Sequence, residues 1–345
     1  MSDGEVEVTD AHPCTEVHNA TRLYERGVAM HDRGECTAAE KLWRRAAAAG
    51  DPSAQFILAV LVYSRQDEAS VAEAEKWWRT AAEVGHAGAQ YNLGCLLDGR
   101  GDDDSVAEAE RWWRSAAEAR HVAAAHNLGV LLDQRGSPEA EYFWRTAAAG
   151  GHLGAQLSLG ILCYERHDTE AAEYWWRMAA DACHADAQYN LGALLYEREG
   201  DEMLAEAQKW WQIAADSDHT DAQYSLGALL FERGDSASMA EAIRWWRIAG
   251  TAGHCEAQYS LGVVLFNQGQ AEALAEAEMC WRTAAHARHI SAQFNLGVIL
   301  FQRGDASSLE EAKVWWHAAA ESGHRGARDS LDKLSKRSLD ELANP

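Results

Sequence analysis

"AEAEKWWRTAAEVGHAGAQYNLGCLL", residues 72–97, joins two Ala-rich runs through a Gly-His turn. Apolar residues recur in both runs at steps of three and four, the period of an amphipathic helix. Ala favours helix and disfavours strand, so a sheet has little support here. Two adjacent tryptophans, Trp77 and Trp78, stand in the first run. Neighbouring positions on a helix point about 100° apart, so one helix face can bury only one of the two rings deeply.

The stretch is one copy of a repeat, because all fifteen tryptophans share its phase. Doublets occur at Trp77-Trp78, Trp112-Trp113, Trp175-Trp176, Trp210-Trp211, Trp245-Trp246 and Trp315-Trp316. Leu42-Trp43, Phe143-Trp144 and Cys280-Trp281 complete nine copies. The second position is always Trp, whereas the first accepts Leu, Phe or Cys. Most copies stand 35 residues apart; the steps from Trp113 to Trp144 and on to Trp176 are 31 and 32. A second motif keeps the same phase: "AQYNLGCLL" from Ala89, "AQYNLGALL" from Ala187, "AQYSLGALL" from Ala222 and "AQFNLGVIL" from Ala292. Each unit therefore reads as helix A followed by helix B, and stacked units bury a shared core.

Local signals punctuate the units. Ser70, Ser105, Ser238 and Ser308 precede Glu73, Glu108, Glu241 and Glu311 by three, the spacing of a capping box at the start of helix B. "RGD" at 100–102, 233–235 and 303–305 closes helix A with a glycine turn. The second Trp is expected to wedge against the glycines of the LG pairs, Gly94, Gly129, Gly160, Gly192, Gly227, Gly262 and Gly297. The first is expected at the periphery. The carboxylates of the "AEAE" runs read as a solvated face of helix B.

Composition narrows the function. The 345 residues carry a formal net charge of −23, which opposes binding to nucleic acid or anionic lipid. The first residues show no basic and apolar leader pattern, and no run of about 18 apolar residues occurs, so no membrane insertion is expected. Seven cysteines without a CxxC pair read as reduced thiols of a cytoplasmic protein. His86, His121, His152, His184, His219, His254, His289 and His324 share one repeat phase. Successive copies lie at least a helix spacing apart, roughly 8–10 Å. Zinc ligands must lie about 2.0–2.3 Å from one point. The ladder therefore reads as turn histidines bonding across the B–A junction, with no metal and no cofactor. No nucleophile elbow, Walker loop or dinucleotide fingerprint is present, and the chain reads as no enzyme.

The motifs A-x-x-x-LG-x-L, A-x-x-W-W-R-x-AA and G-H-x-x-A resemble the Sel-one-like repeat family, a branch of the tetratricopeptide-like alpha-solenoids. The resemblance covers about residues 54–327. This chain departs from it in its second Trp, where the family more often has Tyr, and in the shortened unit at 124–150. The resemblance implies an all-α, right-handed superhelix of about nine helix pairs plus a capping helix, with helices A lining the concave side. The domains follow: 1–18 a disordered acidic segment, 19–52 a capping helix pair, 53–323 the solenoid, 324–345 a closing helix and tail.

Laying the tetratricopeptide pattern over helix A marks two groove-facing positions seven residues apart. The first carries Tyr189, Tyr224, Tyr259 and Phe294; the second carries Tyr164, Tyr196, Phe231, Phe266 and Phe301. Glu165, Glu197 and Glu232 follow the second position. Counting Tyr24 in the cap, thirteen of the sixteen Tyr and Phe residues keep these two positions. Rings with polar tips suit a wet peptide groove, and interleaved Glu favours Lys or Arg in the ligand. The expected function is a non-enzymatic scaffold or adaptor that holds a protein or peptide. The alternatives are a self-assembling structural protein or an accessory subunit of an enzyme complex; the sequence does not set the oligomeric state.

Overall fold

The computed structural model describes residues 13–343, so residues 1–12 of the segment expected to be disordered lie outside it. Helix α1 (Pro13–His31) pairs with α2 (Cys36–Ala48), α3 (Pro52–Tyr63) with α4 (Glu68–Glu83), and α5 (Ala87–Asp98) with α6 (Asp103–Glu118). Next come α7 (Val122–Gln134) with α8 (Ala140–Ala149), then α9 (Leu153–Glu165) followed by α10 (Thr169–Asp181). Helix α11 (Ala185–Glu197) pairs with α12 (Asp201–Asp216), and α13 (Thr220–Glu232) with α14 (Ser236–Thr251). The series ends with α15 (Cys255–Gln268) on α16 (Ala271–His286), α17 (Ile290–Arg303) on α18 (Ala306–Glu321), and a closing α19 (Arg325–Ala343). The described residues thus form nine A–B pairs and a last A-type helix, with no strand: an all-α solenoid. Contacts divide the chain into two compact halves between Trp175 and Trp176.

The second Trp is the core of every repeat. In the N-terminal half Trp43, Trp78, Trp113 and Trp144 are buried, and in the C-terminal half Trp176, Trp211, Trp246, Trp281 and Trp316. Seven of these rings (Trp43, Trp113, Trp144, Trp211, Trp246, Trp281 and Trp316) lie where a side chain on the facing glycine of helix A would stand. A Cβ built on Gly227 would sit 2.5 Å from Trp246 Nε1 and 2.6 Å from its Cδ1. No real Cβ tolerates that approach, so glycine is required there by the ring. The close approach lets the indole N–H reach a backbone carbonyl one turn earlier on helix A. Trp211, Trp246, Trp281 and Trp316 donate to Tyr189, Tyr224, Tyr259 and Phe294 oxygens at 3.1–3.2 Å. In α3 Ala59 replaces the glycine, and the N–H of Trp78 has no partner; those of Trp43 and Trp144 are unpaired as well.

The first Trp is less uniform than its tolerance of Leu, Phe and Cys suggests. Trp77, Trp112 and Trp315 are half-buried, but Trp210 and Trp245 are buried. The N–H groups of Trp77, Trp112, Trp210 and Trp315 each point to a Glu one turn earlier.

Two expectations are corrected. The N-cap of helix B is an Asp three residues before the Ser, not the Ser itself. Asp67, Asp102 and Asp305 accept from the backbone N–H of Ser70, Ser105 and Ser308 at 2.9–3.0 Å, and Asp235 accepts from both Ala237 and Ser238. A carboxylate at this end also meets the positive pole of the helix. The "RGD" turn thus supplies both the positive-φ glycine of the turn, as at Gly304 (φ +77°), and the cap of the next helix.

The "AEAE" carboxylates are not simply solvated. Their first Glu reaches back 29 residues to the Arg after the Trp doublet of the preceding repeat: Glu73 to Arg44, Glu108 to Arg79, Glu206 to Arg177, Glu276 to Arg247 and Glu311 to Arg282. Their second Glu takes an Arg from the A–B turn of the next repeat: Glu75 with Arg100, Glu110 with Arg135, Glu278 with Arg303. Hydrogen bonds from Arg44, Arg79, Arg177 and Arg282 hold Glu73, Glu108, Glu206 and Glu311 below the usual carboxylate range. The "RGD" arginines are therefore part of a ladder along the B helices.

Candidate peptide-binding clefts

The histidine ladder defines how one helix A meets the next. His219, His254, His289 and His324 each cap an A helix, accepting through Nδ1 from a backbone N–H three residues on at 3.1–3.2 Å. An Nδ1 that accepts leaves the proton on Nε2. That nitrogen reaches a carboxylate in the first turn of the preceding A helix: Asp186 for His219, Asp221 for His254 and Glu256 for His289, at 3.0–3.2 Å. The imidazole face stacks on a first-position ring of the preceding repeat. Tyr189–His219, Tyr224–His254, Tyr259–His289 and Phe294–His324 have centroids 4.4–5.0 Å apart and planes within 23°. In the N-terminal half Phe56–His86, Tyr91–His121 and His126–His152 repeat the arrangement. Burial pushes the His86, His121 and His126 imidazoles below their usual pKa. The first-position rings therefore each give one face to the next repeat.

The second-position rings lie differently. Tyr196, Phe231, Phe266 and Phe301 tilt against the second Trp of their own repeat, with centroids 5.3–5.5 Å apart. Phe231 is 39% exposed and the other three are half-buried. Between successive A helices of the C-terminal half these rings line clefts that recur with the repeat. The first, of about 340 Å³, holds Tyr224, Phe231 and Glu232 of α13 against Tyr259, Ser260 and Val263 of α15, with Trp246 as its floor. A second, of about 150 Å³, holds Phe266 and Asn267 against Asn295 and Val298 over Trp281. A third, of about 340 Å³, holds Phe301 and Gln302 against Ser330, Lys333 and Leu334 over Trp316.

The structure thus brings Tyr224, Phe231, Glu232 and Tyr259 into one cleft. Tyr196 joins them through its hydroxyl, which donates to both Glu232 oxygens at 2.9 and 3.0 Å and bridges α11 to α13. The Glu232 charge, through that hydrogen bond, raises the Tyr196 pKa. Phe266 and Phe301 line clefts of their own. Tyr189 and Phe294 sit in the ring–histidine stacks instead, and Glu197 is exposed at the end of α11. Tyr164 and Glu165, exposed at the end of α9, belong to the N-terminal half. Sequence reasoning missed the cleft floors Trp246, Trp281 and Trp316, and the walls Val263 and Val298. The valines directly follow the LG glycine, three residues before the lining Phe, and so share its helix face.

The model of the Sel1 repeat matches residues 20–51, 52–86, 87–121, 154–182, 185–219, 220–254, 255–289 and 290–324. The unmatched stretch between 121 and 154 is the shortened repeat. No curated protein matches the chain. The fold is similar to that of a Sel1 repeat protein from Oxalobacter formigenes, with a TM-score of 0.65 at 25% identity over 97% of this chain and 98% of that one. It is similar too to a protective antigen of uropathogenic Escherichia coli strains that displays an SLR fold. There the TM-score is 0.77 at 27% identity, over 95% of this chain and 73% of that one.

Proposed function

The chain belongs to the Sel1 repeat family, and from that premise we propose that it is a non-enzymatic adaptor holding a polypeptide along the clefts of α13, α15, α17 and α19. Members of the family generally act as scaffolds for protein–protein interaction and are typically non-catalytic. The observation that carries the reading is the recurrence of the clefts. Each offers an aromatic wall, an indole floor and two or three polar residues. Apolar centres with a few placed polar groups are what a polypeptide partner requires. Glu232 biases the α13 end of the row toward a basic side chain. Among the described residues no helix is long and apolar enough to cross a membrane.

The test is capture of a partner from native cell extract by the wild-type protein and by a Tyr196→Ala/Phe231→Ala variant. Both rings are partly open to solvent, so melting falls by a few degrees while capture is lost. A folded double variant that captures the same partner at full strength would sink the proposal.

A further inference from the structure

The three clefts of the C-terminal half share an indole floor and a Phe wall but differ in their rings and charges. The first is lined by four rings, Tyr224, Phe231, Trp246 and Tyr259, and among the described residues its one charge is Glu232. The second has Phe266 and Trp281 with the amides of Asn267 and Asn295, and no charged residue among those described. The third has Phe301 and Trp316, with Lys333 as its one charge among the described residues. Aromatic faces carry the negative part of the ring quadrupole, so the rings and the carboxylate of the first cleft act in the same direction. A cation gains most there, gains less in the second cleft and is repelled in the third.

The first cleft is formed before a ligand arrives. His254 stacks on Tyr224 with centroids 4.7 Å apart and His289 on Tyr259 at 4.6 Å, so each ring is held from one side. Phe231 tilts against Trp246 at 5.5 Å and remains 39% exposed. The Tyr196 hydroxyl donates to both Glu232 oxygens at 2.9 and 3.0 Å and fixes the carboxylate, which can still accept further donors. Fixed walls and a fixed acceptor lower the ordering cost of binding. The same features separate one cation from another. A lysine ammonium is compact and strongly hydrated, so pressing it against rings strips water that they replace poorly. A guanidinium is weakly hydrated, lies flat on an aromatic face and still directs N–H donors at a carboxylate. Phe231 and Glu232, neighbours at the end of α13, supply one of each.

We infer that the first cleft, taken as part of the polypeptide site proposed above, receives an arginine side chain of the partner. The guanidinium lies against the Phe231 ring and donates to Glu232. The other two clefts take no cation.

Saturation-transfer NMR titrations of the full chain test this with the N-acetyl methylamides of arginine, citrulline, lysine and leucine. Citrulline keeps the shape of arginine without its charge. The arginine probe should bind about tenfold more tightly than the citrulline and leucine probes and about threefold more tightly than the lysine probe. Glu232→Gln should bring the arginine probe to the citrulline level. Phe231→Leu, which keeps an apolar side chain but no ring, should weaken it about threefold. Glu241→Gln removes an exposed charge of α14 that does not line the cleft, and should leave arginine binding as it is. Circular dichroism checks that each variant is folded. Equal binding of the arginine and citrulline probes, tighter binding of lysine or leucine, an equal loss in Glu241→Gln and Glu232→Gln, or no binding at all overturns the inference. If partner capture is lost in Tyr196→Ala/Phe231→Ala while the probes show no arginine preference, this inference falls and the adaptor reading stands. If the folded double variant captures at full strength, both fall.

Discussion

Substituting Gly227 by Ala tests the packing that defines this fold. In isolation the change should help, because Ala is favoured over Gly inside a helix by about 1 kcal/mol. Here the new methyl would stand 2.5 Å from Trp246 Nε1 and 3.1 Å from Cε2. The ring is 3% exposed and cannot swing aside into solvent. It must shift by a large part of an ångström, and overpacking of that kind costs about 1–3 kcal/mol. The shift also breaks the bond from Trp246 Nε1 to the Tyr224 carbonyl, 3.1 Å, and strands two buried polar groups at about 1–3 kcal/mol. The net loss is about 3 kcal/mol once the propensity gain is subtracted. Repeat arrays depart from two-state unfolding, so native-state hydrogen exchange in α13 and α14 is the suitable measurement. The same substitution in a Trp246→Leu background should cost nothing, or stabilise by its propensity alone. Equal losses in the two backgrounds, or a gain in the wild type, would refute the argument, since the coupling between the two sites is its whole content.

Trp113→Ala should destabilise by about 3–5 kcal/mol and Trp112→Ala by clearly less, since Trp113 is buried and Trp112 half-buried; urea unfolding of both variants checks the order. Burial lowers the pKa of His86, His121 and His126, so the unfolded chain binds protons that the folded chain does not. Their contribution is complete above the unfolded value of about 6.5 and is lost as pH falls through the lower folded values. His121→Asn keeps a capping side chain, and its urea midpoint should fall less steeply than wild type between pH 7.5 and 5; an unchanged slope counts against the assignment. Arg282→Gln breaks pairs to Glu278 and Glu311, each part-exposed, and should cost about 0.2–1 kcal/mol per pair at low salt and less at 1 M salt. A loss that does not depend on salt would assign the arginine a packing role instead.

The helix pairs and the Trp–Gly contact were legible in the sequence because both recur at one phase, and a contact inside one repeat is written into that phase. Contacts between repeats were harder to read. Ser70 and Glu73 fit a capping box, yet Asp67 takes the cap and Glu73 turns to Arg44, a choice settled by a residue 29 positions away. Tyr224 and His254 stack across 30 residues, which periodicity permits but does not select. Trp246 escaped notice as a cleft floor because a ring read as core is not also read as surface, although its two sides serve both. Lys333 lies on α19, where the LG motif has decayed, so alignment of the repeats gave it no weight.

Where the Arg–Glu ladder is continuous, it makes a repeat interchangeable with its neighbours. Five repeats offer an arginine forward to a glutamate 29 residues on, as Arg247 does to Glu276 and Arg282 to Glu311. Excising residues 255–289 would present Glu311 to Arg247, and the ring of Phe294 would keep His324. The seam would close with matched charges, and the groove would be shorter by one cleft. A chain built this way can gain or lose reach in whole steps without inventing a new joint.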